Sequence, residues 1–147
     1  MLILIDTNIP MYVWGKPHSL SEHSRQVLRL SEERPQAFFT DAEVLQEMLH
    51  RYIAVRQWPA AGPAIVAFAK VMSGRIEPLF GEDVLHAAKL ADCYPALSAR
   101  DLIHVAIAVR AGATHIVSAD TAFDVVTEIE RLDPLRVAEW RGEVSAQ

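Results

Sequence analysis

The chain has 147 residues, 51% of them hydrophobic, and a formal net charge of −5 at pH 7. The length suits one domain, 1–147, with a real core, and the hydrophobic share excludes a disordered chain. The acidic balance excludes holding nucleic acid through the overall field, so any such contact must be local or mediated by a bound cation. The single cysteine, Cys93, excludes an intramolecular disulfide and fits a reducing cytosol; in its helix-like run it reads as a buried, inert thiol. No apolar stretch approaches the roughly 18–20 residues of a membrane span. The amino-terminal run meets Asp6 too soon for a signal peptide. A cytoplasmic protein without a membrane segment is expected.

Residues 2–5, Leu-Ile-Leu-Ile, form a strand-length run with no polar alternation, as in the middle of a parallel sheet. The run stops at Asp6-Thr7-Asn8, which places Asp6 at the carboxyl end of a strand, where open α/β sheets hold their ligands. As turn or cap residues, Asp6 and Asn8 would need no further role. Ile9 to Trp14 reads as a short helix stopped at Gly15-Lys16-Pro17. A longer helix runs from Ser19 or Ser21 to about Glu33, with Val27, Leu28 and Leu30 on its apolar stripe. Residues 37–40 are a second strand. Thr40-Asp41-Ala42-Glu43 reads as a capping box that opens a helix to about Arg56, buried along Val44, Met48, Leu49, Tyr52 and Val55.

Trp58-Pro59 starts a helix to about Met72. Residues 76–79 form a weak third strand whose Pro78 suggests an edge. Asp83 to Tyr94 is helical. Ser98-Ala99-Arg100-Asp101 is a second capping box; its helix buries Leu102, Ile103, Ala106, Ile107 and Val109 and ends at Gly112. Residues 115–118 are the fourth strand, Ala122 to Val126 a turn of helix, and Leu135 to Trp140 a last strand. Strands alternating with helices predict an α/β fold with a parallel sheet covered on both faces.

In that arrangement Asp6, Glu47, Asp101 and Asp120 reach one rim. Glu43 competes with Glu47, but Glu43 sits where it can reach back to Thr40, so Glu47 is favoured. Asp101 also occupies a capping-box position, which a helix amino terminus stabilises whether or not a metal is bound. Four gathered carboxylates repel and call for a cation. Oxygen ligands without Cys or a His pair select Mg²⁺ or Mn²⁺. Such an ion activates water and stabilises a transferring phosphoryl group, the chemistry of phosphodiester hydrolysis.

The ordered set of Ile5-Asp6-Thr7-Asn8, Glu47 within residues 44–49, Asp101 within residues 98–106 and Asp120 within residues 116–124 resembles a PIN domain of the VapC toxin type, over Leu2 to about Leu135. The resemblance implies a three-layer α/β/α sandwich with a mainly parallel sheet of about five strands. It implies a Mg²⁺- or Mn²⁺-dependent ribonuclease acting on RNA, paired with a small antitoxin and forming a homodimer. It maps the catalytic and metal-binding acids onto Asp6, Glu47, Asp101 and Asp120. Asn8 and Ser118 match supporting polar positions, and Asp124 matches a frequent extra acid.

His104, one turn after Asp101, could contact the site or a substrate phosphate, but a lone helical histidine is more often a hydrogen-bonded structural residue. Trp14, Trp58 and Trp140 read as core or interface residues. Arg51, Arg56 and Arg100 are the candidates for phosphate contacts, although lysines and arginines are scattered and make no basic run. The competing class is a non-enzymatic RNA-binding or scaffold version of the fold, which would have lost an acid. A phosphatase of the aspartate-nucleophile class would want Asp where Asn8 stands. A receiver would want Lys within residues 118–124. A nucleotide-binding fold would want a Gly-rich loop after the first strand.

Overall fold

The structure is a computed structural model and describes residues 1–145. Five parallel strands, β1 (Ile3–Ile5), β2 (Phe38–Asp41), β3 (Ile76–Glu77), β4 (His115–Val117) and β5 (Glu130–Leu132), form one sheet in the order β3-β2-β1-β4-β5. Among the described residues seven α-helices flank them: α1 (Asn8–Trp14), α2 (Ser21–Glu33), α3 (Ala42–Ala54), α4 (Gly62–Val71), α5 (Gly81–Cys93), α6 (Ala99–Ala111) and, after β5, α7 (Val137–Ser145). The expected α/β/α sandwich is the observed one.

Alternation along β1 divides the core. Ile3 and Ile5 point to the side covered by α1–α4 and α7, where Val27, Met48, Phe68 and Trp140 pack. Leu4 points to the side of α5 and α6, among Leu90, Val105, Ile107 and Phe123. All three β1 residues are fully buried, which is why the run shows no polar alternation. β1 pairs in register with β2 (Ile3 with Phe38) and with β4 (Ile5 with Val117). The chain leaves β1 towards β2 on one side and returns to β4 on the other, so a crevice opens beyond the carboxyl ends of β1 and β4. Asp6 and Ser118 are the first residues past those ends.

Several local expectations need correction. Leu135 to Trp140 is not a strand. Asp133 accepts from the Leu135 amide, Pro134 opens a 3-10 turn, and α7 follows with Val137, Trp140 and Val144 buried at helical spacing. The last strand lies earlier, at Glu130–Leu132, where two charged residues hide it. The helix expected from Trp58 begins only at Gly62. Leu49, Val55 and Val109 are exposed, as is Cys93, because the apolar stripe of each helix is narrower than its apolar composition. Pro78 follows β3, which is indeed an edge strand, and Gly112 closes α6 with φ of 76°. No helix among the described residues is long and apolar enough to cross a membrane.

Candidate active site

Asp6 is 5% exposed and its carboxylate is held on both oxygens. Oδ1 accepts from the Thr7 amide at 2.7 Å. Oδ2 accepts from Asn8 Nδ2 at 2.9 Å and from the Ser118 hydroxyl at 2.6 Å. Asn8 also donates to Ser118 Oγ and accepts from the Ala119 amide, and Ser118 Oγ accepts from the Asp120 amide at 3.0 Å. The two supporting residues therefore join the ends of β1 and β4 and set the direction of the chain at Asp120. Burial raises Asp6 to about 6, against the favourable pull of His104 and its hydrogen bonds.

Glu47 enters from the second turn of α3. Its Oε2 accepts from the Thr7 hydroxyl at 2.7 Å, and Arg51 lies 3.9 Å from Oε1. Burial pushes this carboxyl up, but His104, the Thr7 hydroxyl and Arg51 outweigh it and bring it to about 2. Asp101 sits at the start of α6, where the capping box is formed: Ser98 Oγ accepts from its amide at 3.2 Å, and its own carboxylate accepts from the Ser98 amide. Burial raises Asp101, helped by the charge of Asp120 and opposed by Ser98 and His104. Asp120 is exposed and caps a 3-10 turn by accepting from the Ala122 amide. Asp124 is engaged by Arg131 through two nitrogens, at 2.6 and 3.2 Å, and Arg131 also donates to the Ser118 carbonyl. Asp124 thus braces the loop after β4 through Arg131.

The reason for preferring Glu47 to Glu43, a capping box between Thr40 and Glu43, does not hold. The cap of α3 is Asp41, whose Oδ1 accepts from the Val44 amide at 2.8 Å; Thr40 donates its hydroxyl to the Ile5 carbonyl instead. Glu43 is left facing Arg100 at 3.8 Å, with burial raising its pKa.

The sequence marked His104 as a hydrogen-bonded structural residue and Asp41 only as part of a capping box. Both are fully buried, and Asp41 Oδ2 lies 2.8 Å from His104 Nδ1. The other ring nitrogen, Nε2, lies 3.8 Å from Asp6 Oδ1 and 3.7 Å from Glu47 Oε2. Burial alone would lower the pKa of His104, but Asp41, Glu47 and Asp6 outweigh it and raise it well above the ordinary range. A usable signal existed: Asp41 ends the strand next to Asp6, and His104 stands one turn from Asp101. One atom each from Asp6, Glu47 and His104 fall within 4.8 Å of one another, the one such group of potential metal ligands among the described residues. Carboxylate oxygens of buried Asp6 and half-buried Glu47 with the unpartnered nitrogen of His104 fit a divalent cation.

Beside Glu47 runs a groove of about 900 Å³ with Lys16, His18, His50, Arg51 and Arg100 on its walls, and Met11 and Tyr12 between them. Tyr12 stacks on His18 at 4.4 Å. These basic residues come from three separate stretches, so no basic run marks them in the sequence. Arg56 lies outside that set.

The family profile described as PIN domain matches residues 3–129. Ribonuclease VapC13 of Mycobacterium tuberculosis is 37% identical over 131 residues, covering 89% of this chain and 99% of its own. Ribonuclease VapC23 of the same organism is 35% identical, covering 81% and 93%. Among solved structures, VapBC2 from Rickettsia felis bound to a promoter DNA fragment superposes with a TM-score of 0.71 at 14% identity, covering 90% of this chain and 98% of the matched one. VapBC-1 from nontypeable Haemophilus influenzae does so at 0.62 and 16%, covering 92% and 99%. At those identities the structural likeness concerns the fold, but the profile spans nearly the whole sheet and both strands that deliver the crevice acids. On that ground the chain belongs to the PIN domain family.

Proposed function

We propose that this protein is an endoribonuclease that depends on a divalent ion and serves as the toxin of a toxin–antitoxin pair. Asp6, Glu47, Asp101 and Asp120 hold the ion, Mg²⁺ or Mn²⁺, with Asn8 and Ser118 in support. The observation that carries this reading is Asp6: a buried carboxylate, fixed by three hydrogen bonds at the sheet's crevice, with Glu47 and His104 closing on it. The relatives named as ribonucleases support the same chemistry. When bound, the ion supplies an activated water and stabilises charge on the phosphodiester.

The chain's own residues do the rest. Thr7, through both its amide and its hydroxyl, ties Asp6 to Glu47 and keeps the two acids from splaying apart. Asn8 and Ser118 hold Asp6 so that no reorganisation is needed during reaction. The groove of Lys16, His50, Arg51 and Arg100 takes the RNA backbone, so an acidic protein meets a polyanion through a local basic surface. Exposed Leu49, Ile53, Val55 and Trp58 form an apolar strip on α3 and the loop after it, which we assign to the antitoxin. Exposed Phe80, Val84 and Leu85 at the start of α5 are assigned to a homodimer contact.

The direct test incubates purified protein with structured RNAs. Cleavage with Mg²⁺ or Mn²⁺ and none in EDTA is expected; equal cleavage in EDTA contradicts the reading. A second outcome concerns Asp101. Its folded-state pKa is raised, so ionised Asp101 destabilises the metal-free fold at neutral pH. Asp101→Asn keeps an oxygen able to accept from the Ser98 amide in the capping box of α6. It should raise the melting temperature in EDTA slightly, on the order of 1–3 °C, and shrink the stabilisation given by added Mn²⁺. An unchanged response to Mn²⁺ in thermal-shift measurements removes Asp101 from the site.

A further inference from the structure

We propose that His104 is a direct nitrogen ligand of the divalent ion, oriented by Asp41, which makes the centre a mixed oxygen and nitrogen site that prefers Mn²⁺ to Mg²⁺. The inference rests on the metal-dependent reading above and adds a ligand to it. His104 is fully buried, and its Nε2 is without a hydrogen-bond partner among the described residues. A buried ring nitrogen left unpaired is costly unless something else satisfies it.

The geometry around Nε2 favours an ion over a hydrogen bond. Nε2 lies 3.8 Å from Asp6 Oδ1 and 3.7 Å from Glu47 Oε2. An N–H donating to a carboxylate closes to roughly 2.7–2.9 Å, and both gaps are far wider. Two ligands bonded at roughly 2.0–2.2 Å to one ion stand about 3 Å apart at a right angle and about 4 Å apart across it. Both gaps fall inside that span.

Asp41 supplies what a histidine ligand needs behind it. A carboxylate can only accept, so the 2.8 Å contact puts a proton on Nδ1 and leaves Nε2, which faces Asp6 and Glu47, as the ring nitrogen available to an ion. Asp41 cannot drift, because its other oxygen caps α3 at Val44. A carboxylate, a histidine and then a metal in line is the usual outer-sphere arrangement for such ligands. An imidazole nitrogen moves the site away from Mg²⁺, which favours oxygen and near-ideal octahedral geometry, and towards first-row ions.

The test is pulsed electron paramagnetic resonance on the full chain, free of affinity tag and loaded with one equivalent of Mn²⁺. Wild type should show ¹⁴N modulation from a coordinated imidazole, replaced by ¹⁵N frequencies when histidine alone is ¹⁵N-labelled. Asp6→Asn should lose the modulation along with tight binding; modulation that persists there comes from a surface histidine and overturns the assignment. His104→Gln, if folded by circular dichroism, should reduce the ratio of Mn²⁺ to Mg²⁺ affinity at least tenfold in calorimetry. The labelled wild-type spectrum decides the matter if that variant does not fold. Tight Mn²⁺ binding without nitrogen modulation overturns the histidine ligand and leaves the acidic centre intact. No tight Mn²⁺ binding at all overturns both.

Discussion

Asp6→Asn should abolish RNA cleavage, a loss of about 100-fold or more, while the protein stays folded. The ion and its ligands are asked to supply several kcal/mol of the barrier reduction, and each 1.36 kcal/mol is about tenfold in rate. The fold survives because two changes oppose each other. Burial raises Asp6 from 3.8 to about 6, so holding it ionised above that pH costs about 3 kcal/mol in the metal-free protein. Asparagine removes that cost. It also loses a hydrogen bond, since Asn8 and Ser118 both donate to one oxygen and the Thr7 amide donates to the other, leaving the new amide group facing a donor. That loss is about 1–3 kcal/mol. The sign of the pH effect follows from the raised pKa. Asp6 contributes stability that is fully present below pH 3.8 and lost as pH rises through about 6. In EDTA, wild type should therefore lose stability relative to Asp6→Asn between those values, as read by urea melts at pH 4.5 and pH 7.5. A constant difference across that range contradicts the buried-charge account.

Asp41→Ala should be the most damaging single change to stability outside the apolar core. Asp41 and His104 are both fully buried and 2.8 Å apart. Removing one partner of a buried pair leaves the other uncompensated, at about 3–5 kcal/mol. The lost cap of α3 adds about 1 kcal/mol. A domain of this size has only about 5–15 kcal/mol to lose, so a fall of 10 °C or more in melting temperature is expected. Asp41→Asn should fall between, because one carbonyl oxygen can serve Val44 or His104 but not both. An Asp41→Ala protein that melts within about 3 °C of wild type contradicts the buried pair.

The sheet was legible because β1 is an uninterrupted apolar run, and such a run has few homes other than the centre of a parallel sheet. The place of Asp6 was legible for the same reason, since it stops that run, and the cap from Ser98 to Asp101 was legible as a motif. What escaped depends on partners distant in sequence. β5 consists of Glu130, Arg131 and Leu132, and only pairing with β4 makes it a strand. Residues 135–140 have strand-like composition, but Asp133 and Pro134 force a turn into helix. Asp41 sits inside an apparent capping box, which hid its contact with His104, 63 residues away in sequence. The basic groove is assembled from residues spread between Lys16 and Arg100, so scatter in the sequence was mistaken for scatter in space.

If Asp6 and Glu47 hold an ion that would supply an activated water, the ends of the RNA products report it most directly. RNA cleaved by wild type in Mn²⁺ should carry 5′-phosphate and 3′-hydroxyl ends, read by ligation without prior phosphorylation and by mass spectrometry. Products with 2′,3′-cyclic phosphate and 5′-hydroxyl ends would mean that the RNA's own 2′-hydroxyl attacked, and would contradict the mechanism assigned to these acids.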